Sequence, residues 1–325
     1  MNRIPVGILG ATGTIGQRFV QLLADHPWFK LIALAASDRS AGQRYADACH
    51  WLLSEPMPEV VRELVVRPIE LSLDCHLVFS ALPSDVAGPV EESFAGAGYV
   101  VCSNAASHRM DPDVPLLIPE VNPDHTELID GQRRRHGGKG FIVTSANCST
   151  TQLAMALKPL HASFGLRQVS VVTMQAVSGA GYPGLAAMDI LDNVVPFIPG
   201  EEDKLEREPL KLLGTLGDGK LTDAAFVVSA QCNRVPIRDG HTECVSVEFE
   251  HQPDLGAVKA ALREFIGPSQ VTRMPSSPAR PILVRREADR PQPIRDRDAQ
   301  EGMSISVGRL RPCPLLDVKF VVLGA

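Results

Sequence analysis

Ile4-Pro5-Val6-Gly7-Ile8-Leu9-Gly10-Ala11-Thr12-Gly13-Thr14-Ile15-Gly16 starts as an apolar strand and breaks at a glycine turn. It then runs into a helical pattern in which Ile15, Phe19, Leu22 and Leu23 share one face. Strand, glycine turn and helix in that order form a dinucleotide-binding unit, because glycines let the backbone approach a pyrophosphate and the helix N-terminus holds its charge. The spacing is GxxGxxG rather than GxGxxG, so the flanking strand and helix carry the reading more than the string does. Gly10, Thr12, Gly13, Thr14, Ile15 and Gly16 are expected to line a cofactor.

Working outward, a second strand over Lys30 to Ala36 ends at Ser37-Asp38-Arg39-Ser40-Ala41-Gly42. This is about twenty residues past the glycines, where such folds read the adenine ribose. An acid there favours NAD, whereas a cation with hydroxyls favours the 2'-phosphate of NADP. Both kinds are present. Ser37, Arg39 and Ser40 together make an anion site and tilt the reading to NADP, with Asp38 free to face solvent. Leu77 to Pro83 reads as another buried strand entering a turn, where an α/β sheet presents its ligand-facing loops, so Ser80, Ala81 and Leu82 join the cofactor set. Tyr99 to Cys102 then leads to Ser103-Asn104-Ala105-Ala106-Ser107-His108-Arg109, in which Arg109 is a candidate anion ligand. Parallel strands separated by helical stretches give a doubly wound, Rossmann-type α/β sheet.

The chain has 325 residues and a formal net charge of −6. That length implies two domains, and mixed charge of acidic balance argues for small-molecule partners over nucleic acid, despite the basic loop Gln132 to Gly140. No apolar run reaches membrane-spanning length, and Met1-Asn2-Arg3-Ile4-Pro5 enters a strand without a secretory leader, so a cytoplasmic protein is expected. Seven cysteines (49, 75, 102, 148, 232, 244, 313) are widely spread without a C-x-x-C pair, which implies free thiols and no metal.

One cysteine stands apart. Phe141 to Val143 is a short apolar run, Thr144-Ser145-Ala146-Asn147-Cys148-Ser149-Thr150 follows it, and Leu153, Ala156, Leu157 and Leu160 then recur on one helical face. Cys148 thus falls at a strand-to-helix turn, where the helix dipole and free N–H groups favour thiolate over thiol. After this helix, Val169 to Val177 opens a second region of longer, alternating strands. It leads into the turn-rich loop Ser178-Gly179-Ala180-Gly181-Tyr182-Pro183-Gly184, whose Ser178 and Gly179 are assigned to the cofactor, then into an apolar helix to Val195. Gly200 to Glu208 opens a charged helix, and strands over Ala225 to Val228 and Val245 to Phe249 flank Asn233 to Thr242. That last segment holds His241, the plausible base for the thiol. Pro275 to Gln300, rich in proline and charge, reads as an irregular excursion or oligomer arm, and Asp317 to Leu323 as a final strand.

With Cys148, Gln175, Arg234 and His241 in place, the sequence resembles the aspartate-β-semialdehyde dehydrogenases, particularly the branch shared by archaea, fungi and some bacteria. The similarity runs nearly end to end, through GATGTIGQRF, SDRSAGQ, FSALPSDVAGPVE, SNAASHRMDPDVPLLIPEVNPDH, NCST, QAVSGAGYPG, IPGEEDK, NRVPIRDGHTE and GMSISVGRLR. The resemblance implies reversible, NADPH-dependent reductive dephosphorylation of L-4-aspartyl phosphate to aspartate semialdehyde, a step towards lysine, threonine and methionine. It makes Cys148 the nucleophile with Asn147 near the oxyanion, Gln175 a positioning group and His241 the acid/base. It places Arg234 on the substrate carboxylate, Glu201 on the amine, Lys204 and Arg109 on inorganic phosphate, and Asn104 beside them. It also implies a homodimer or homotetramer assembled through the second domain.

The expected organisation is a cofactor domain over 1–150, to which 306–325 returns, and an α+β catalytic and dimerisation domain over 151–305. The chain stops at Gly324-Ala325, where the resembled family continues through an asparagine-containing turn and a C-terminal helix; either another element substitutes, or truncation exposes apolar surface, lowers stability and weakens cofactor binding. Two other readings compete. Malonyl-CoA reductase shares the cysteine and histidine chemistry, and a non-catalytic NADP-binding protein fits a missing tail. N-acetyl-glutamyl-phosphate reductase ranks below both, because its cysteine motif differs from NCST.

Overall fold

The structure, a computed structural model, describes residues 3–325, so Met1 and Asn2, part of the stretch read above for a leader, lie outside the described residues. The chain divides into two compact units, one formed by residues up to Leu116 with Thr126–Ser145, the other by Leu117–His125 and Ala146–Ala325.

The first unit is built on strands β1 (Ile4–Leu9), β2 (Phe29–Ala35), β3 (Leu77–Ser80), β4 (Val100–Ser103), β5 (Leu116–Leu117) and β6 (Phe141–Ser145). Their order is β2-β1-β3-β4-β6-β5. β1 pairs in parallel with both β2 and β3, setting Ile8 beside Leu34 and Phe79, and the order reverses direction at β1. Ligand crevices of such sheets open at the carboxyl ends of the strands at this reversal, which is where the glycine turn lies. Helices α1 (Thr14–Leu23), α2 (Tyr45–Ala48), α3 (Glu59–Arg62), α4 (Ser84–Gly96) and α5 (Ile129–Arg135) complete the unit. Val6, Ile8, Val20 and Leu34 are wholly buried in one core, with Val78, Val101 and Ile142 in another. The buried hydroxyl of Tyr45 donates to Ala11 O at 2.8 Å, tying the glycine turn to that core.

The second unit contains α6 (Cys148–Phe164), β7 (Leu166–Gln175), α7 (Ala187–Ile190), α8 (Glu201–Leu212), the hairpin β8 (Thr215–Gly217) and β9 (Lys220–Thr222), β10 (Val227–Arg234) and β11 (His241–Phe249). α9 (Leu255–Glu264), β12 (Ile282–Val284), α10 (Pro293–Asp296), β13 (Ile305–Pro312) and β14 (Val318–Gly324) follow. Its sheet is mixed, in the order β10-β7-β11-β14-β13-β12. Alternation places His241, Glu243, Val245, Val247 and Phe249 of β11 on the buried face, where α6 packs.

Three expectations need correction. Segment 306–325 does not return to the first sheet: β13 and β14 pair antiparallel with each other, and β14 pairs with β11, setting Val245 opposite Phe320. A strand's alternation declares a buried face without naming the sheet that buries it. The apolar stretch before Val195 forms only the four-residue α7, because Asp192 takes a positive φ of 58° and Pro196 follows. The excursion over 275–300 contains β12, an edge strand, and α10. All seven cysteines are free thiols, and no helix among the described residues is long and apolar enough to cross a membrane.

Candidate active site

In the first unit, main-chain geometry makes the cradle. Gly10 has φ +77°, and a Cβ there would meet Ala81 O at 2.7 Å; one on Gly16 would lie 2.2 Å from Gly10 O. These two glycines let turn, helix and the β3 loop close on one another. Gly13 is different. Its nearest neighbour to an added Cβ is 3.6 Å away, and as the N-cap of α1 it brings no side-chain cap, so the first turn presents bare N–H groups. An open approach to an uncapped helix start fits a dinucleotide pyrophosphate. Around it, Ala81 N donates to Leu9 O at 2.8 Å, Ser80 and Leu82 are buried, and Ser37 and Arg39 are exposed in the loop after β2 beside half-buried Ser40. Asp38 is equally exposed.

Also in the first unit, buried Arg109 donates from Nη2 to Asn104 O at 3.0 Å, and Asn104 Oδ1 accepts from Ser145 Oγ at 3.1 Å. The loop they share is fixed from below: Ser103 Oγ donates to fully buried Glu91 at 2.7 Å and accepts from Ala105 N at 3.1 Å. Burial pushes the Glu91 carboxyl up, while Ser80, Ser103 and His108 oppose that rise.

In the second unit, side chains make the site. Cys148 is the first residue of α6 and is exposed; Asn147 caps the helix, its Oδ1 accepting from Ser149 N at 3.0 Å and Thr150 N at 3.2 Å. Cys148 Sγ lies 3.2 Å from His241 Nε2. The other ring nitrogen settles which group carries the proton. Ala176 N–H, a fixed donor, reaches His241 Nδ1 at 3.0 Å, so Nδ1 is the acceptor and the neutral ring holds its proton on Nε2, facing the sulfur. Burial, reinforced by the Arg234 charge, lowers the His241 pKa to about 4. The neutral imidazole thus presents its Nε2–H to the sulfur. Arg234 is bound to the main chain of the same residue, Nη1 donating to Ala176 O at 2.8 Å. Gly179 sits against both: a Cβ there would lie 2.8 Å from Arg234 Nη1 and 3.2 Å from His241 Nε2. Ser178, its neighbour, is exposed, with its N–H on Arg238 O.

Glu201 is the hub of the remaining polar groups. Its carboxylate accepts from Asn147 Nδ2 at 3.1 and 3.0 Å, Gln175 Nε2 at 3.3 Å and Lys204 Nζ at 2.6 Å. Burial alone would raise its pKa, but the Lys204 contact, with Asn147 and Gln175, holds it below the ordinary carboxylate value. The second unit thus brings together Asn147, Cys148, Gln175, Glu201, Lys204, Arg234 and His241, seven positions scattered from 147 to 241.

Two residues here were not anticipated. Buried Glu208 accepts the Asn147 main-chain N–H at 2.8 Å; its signal was available, because it lies seven residues after Glu201 on the same face of α8. Glu243, two residues after His241, is wholly buried, and burial lifts its pKa to about 8 while a contact with Gln152 opposes the rise. The HTE string gives its inward register but not its chemistry.

Fold and site together define a dinucleotide-fold oxidoreductase that pairs a cysteine with a histidine. Comparison narrows the class. Residues 5–129 match the family model "Semialdehyde dehydrogenase, NAD binding domain", and residues 157–324 match "Semialdehyde dehydrogenase, dimerisation domain". An aspartate-semialdehyde dehydrogenase of Archaeoglobus fulgidus is 52% identical over 99% of this chain and 93% of its own. One from Cryptococcus neoformans is 50% identical over 99% and 92%. The crystal structure of the Candida albicans enzyme with NADP superposes with a TM-score of 0.91 at 45% identity, covering 99% of this chain and 93% of that one. The chain belongs to the aspartate-semialdehyde dehydrogenase family.

Proposed function

We infer that this protein catalyses the reversible, NADPH-dependent reductive dephosphorylation of L-4-aspartyl phosphate to L-aspartate 4-semialdehyde, in the pathway to lysine, threonine and methionine. The observation that carries the chemistry is the Cys148 Sγ to His241 Nε2 approach of 3.2 Å at the start of α6. Membership of the family supplies the substrate.

In the biosynthetic direction the Cys148 sulfur attacks the acyl carbon, the bond from that carbon to the phosphate oxygen breaks, and inorganic phosphate leaves a thioester on the enzyme. When bound, the nicotinamide supplies the hydride that reduces this thioester. His241 donates from Nε2 to the substrate oxygen as charge builds on it. Breaking the carbon–sulfur bond then returns the thiolate and frees the aldehyde. The α6 N-terminus, where Cys148 is the first residue, favours the thiolate that attacks.

Arg234 provides the fork that suits the substrate α-carboxylate. Glu201 takes the substrate amine in place of Lys204; the released lysine, with Arg109 and Asn104, handles phosphate. Gln175 and Asn147 orient the intermediate. Gly10, Thr12, Gly13, Thr14, Ile15 and Gly16 hold the pyrophosphate, Ser37, Arg39 and Ser40 the 2'-phosphate, and Ser80, Ala81, Leu82, Ser178 and Gly179 the remainder of the cofactor. The working form is a cytoplasmic homodimer or homotetramer.

The test is phosphate-dependent NADP reduction with L-aspartate semialdehyde, beside CoA-dependent reduction with malonate semialdehyde, for the chain and for Cys148→Ser. Turnover with the first substrate alone, lost in the variant, is expected. Turnover only with CoA would replace the proposal by an acyl-CoA reductase.

A further inference from the structure

The second unit carries a concavity of about 430 Å³ lined by Lys259, Arg263, Arg285, Arg286, Arg309 and Arg311, with Glu287 as its one acid. Six cations face one carboxylate in a chain whose formal net charge is −6. None of these residues is among those gathered around Cys148.

The cations come from three elements. Lys259 and Arg263 are one turn apart on α9, Arg285 and Arg286 follow β12, and Arg309 and Arg311 lie on β13. Arg285 is neutralised by fully buried Asp296 at 2.8 Å and held by Ser306 Oγ at 3.2 Å. The other five take part in no ion pair among the described residues. Their neighbours steer them without cancelling their charge: Arg311 Nη1 donates to Arg309 O at 2.7 Å, and Arg309 Nη1 donates to Ala288 O. Arg309 has φ +55°, left-handed backbone that disfavours a side chain, at the register slip between Gly308 and Arg311. A bulge of this kind re-aims a side chain, and such strain gathers at ligand sites. Like charges held together repel unless an anion sits among them.

We propose that this concavity is a second anion site, which takes a small molecule bearing two or more linked phosphoryl groups. Arginine forks match phosphoryl oxygens in pairs, and a single phosphate would meet only one side of an array spread over three elements. The volume is that of an ordinary small-molecule site. The proposal does not rest on the reaction assigned above.

The test is calorimetric titration of inorganic pyrophosphate into the full chain saturated with NADPH, at low ionic strength. One saturable site per chain is expected, with inorganic phosphate binding at least about tenfold more weakly. Arg263→Ala with Arg311→Ala should weaken pyrophosphate by about tenfold or more and leave basal turnover within about twofold. Arg109→Ala, a change in the first unit, should leave pyrophosphate affinity unaltered. Lys259→Ala with Arg286→Ala repeats the measurement should the first pair fail to fold. Absence of saturable heat, or equal affinity in both double variants, overturns the site. Loss in Arg109→Ala also overturns it, by assigning pyrophosphate to that arginine. Equal binding of inorganic phosphate overturns the linked-phosphoryl specificity.

Discussion

The glycine turn of the first unit and the thiol centre of the second are built from opposite materials. The turn recognises through main-chain N–H groups and missing side chains, and its residues are contiguous from Gly10 to Gly16. The thiol centre works through side chains brought from α6, β7, α8, β10 and β11. The main-chain site draws an anion through its N–H groups and fails where added volume meets backbone, at Gly10 and Gly16. The side-chain site is tight at Gly179 as well, but it also fails when one proton or carboxylate is misplaced.

The sharpest break is Cys148→Ser, which should lower turnover by about 10³-fold or more while NADPH affinity, measured by fluorescence, stays within about twofold. Next is His241. Glutamine keeps an N–H where Nε2 stands but does not titrate, so His241→Gln should retain activity about tenfold or more above His241→Ala. Equal losses would mean that the ring works as a base. In the first unit, Gly16→Ala places a methyl group in Gly10 O and should cost about 2–3 kcal/mol in chemical denaturation. Gly13→Ala has room in the protein, so it should fold normally and lose about tenfold in NADPH affinity.

The smallest effects concern pH. His241 titrates near 6.5 when unfolded and about 4 when folded, so the unfolded chain binds more protons between these values. Its contribution is intact above 6.5 and is lost as pH falls towards 4. Glu243 has the opposite sign. Its pKa of about 8 against 4.5 unfolded means that stability is present below 4.5 and lost as pH rises through 8. Glu243→Gln should raise Tm by a few degrees near pH 9 and barely near pH 5.

This contrast also explains what the sequence disclosed. The glycine turn was legible because its determinants are adjacent and their context, strand then helix, is written in local periodicity. At the thiol centre, the turn and cap of Cys148 were legible for the same reason, His241 was singled out as a base within its own segment, and the family motifs supplied the roles of Gln175, Glu201 and Arg234. The links between them were not. The Glu201 contacts join α6, β7 and α8, and the Ala176 peptide fixes a histidine 65 residues away. Neither follows from any window of sequence. The placement of β13 and β14 failed similarly, since strand partners are chosen by the assembled sheet. Glu208 is the instructive miss, because helical spacing from Glu201 placed it in the site without any motif to flag it.

The main chain of Ala176 donates to His241 through its N–H and accepts from Arg234 through its carbonyl. Arg234 and His241 are thus registered against each other by the two peptide groups that flank one Cα, and the donor among them is available in every encoded residue but one. Proline alone lacks the N–H, and although its fixed φ matches the −65° of Ala176, its ring carbon would claim the space of the imidazole. The alignment of these two side chains is therefore written in atoms that the genetic code supplies whichever residue but proline it specifies there.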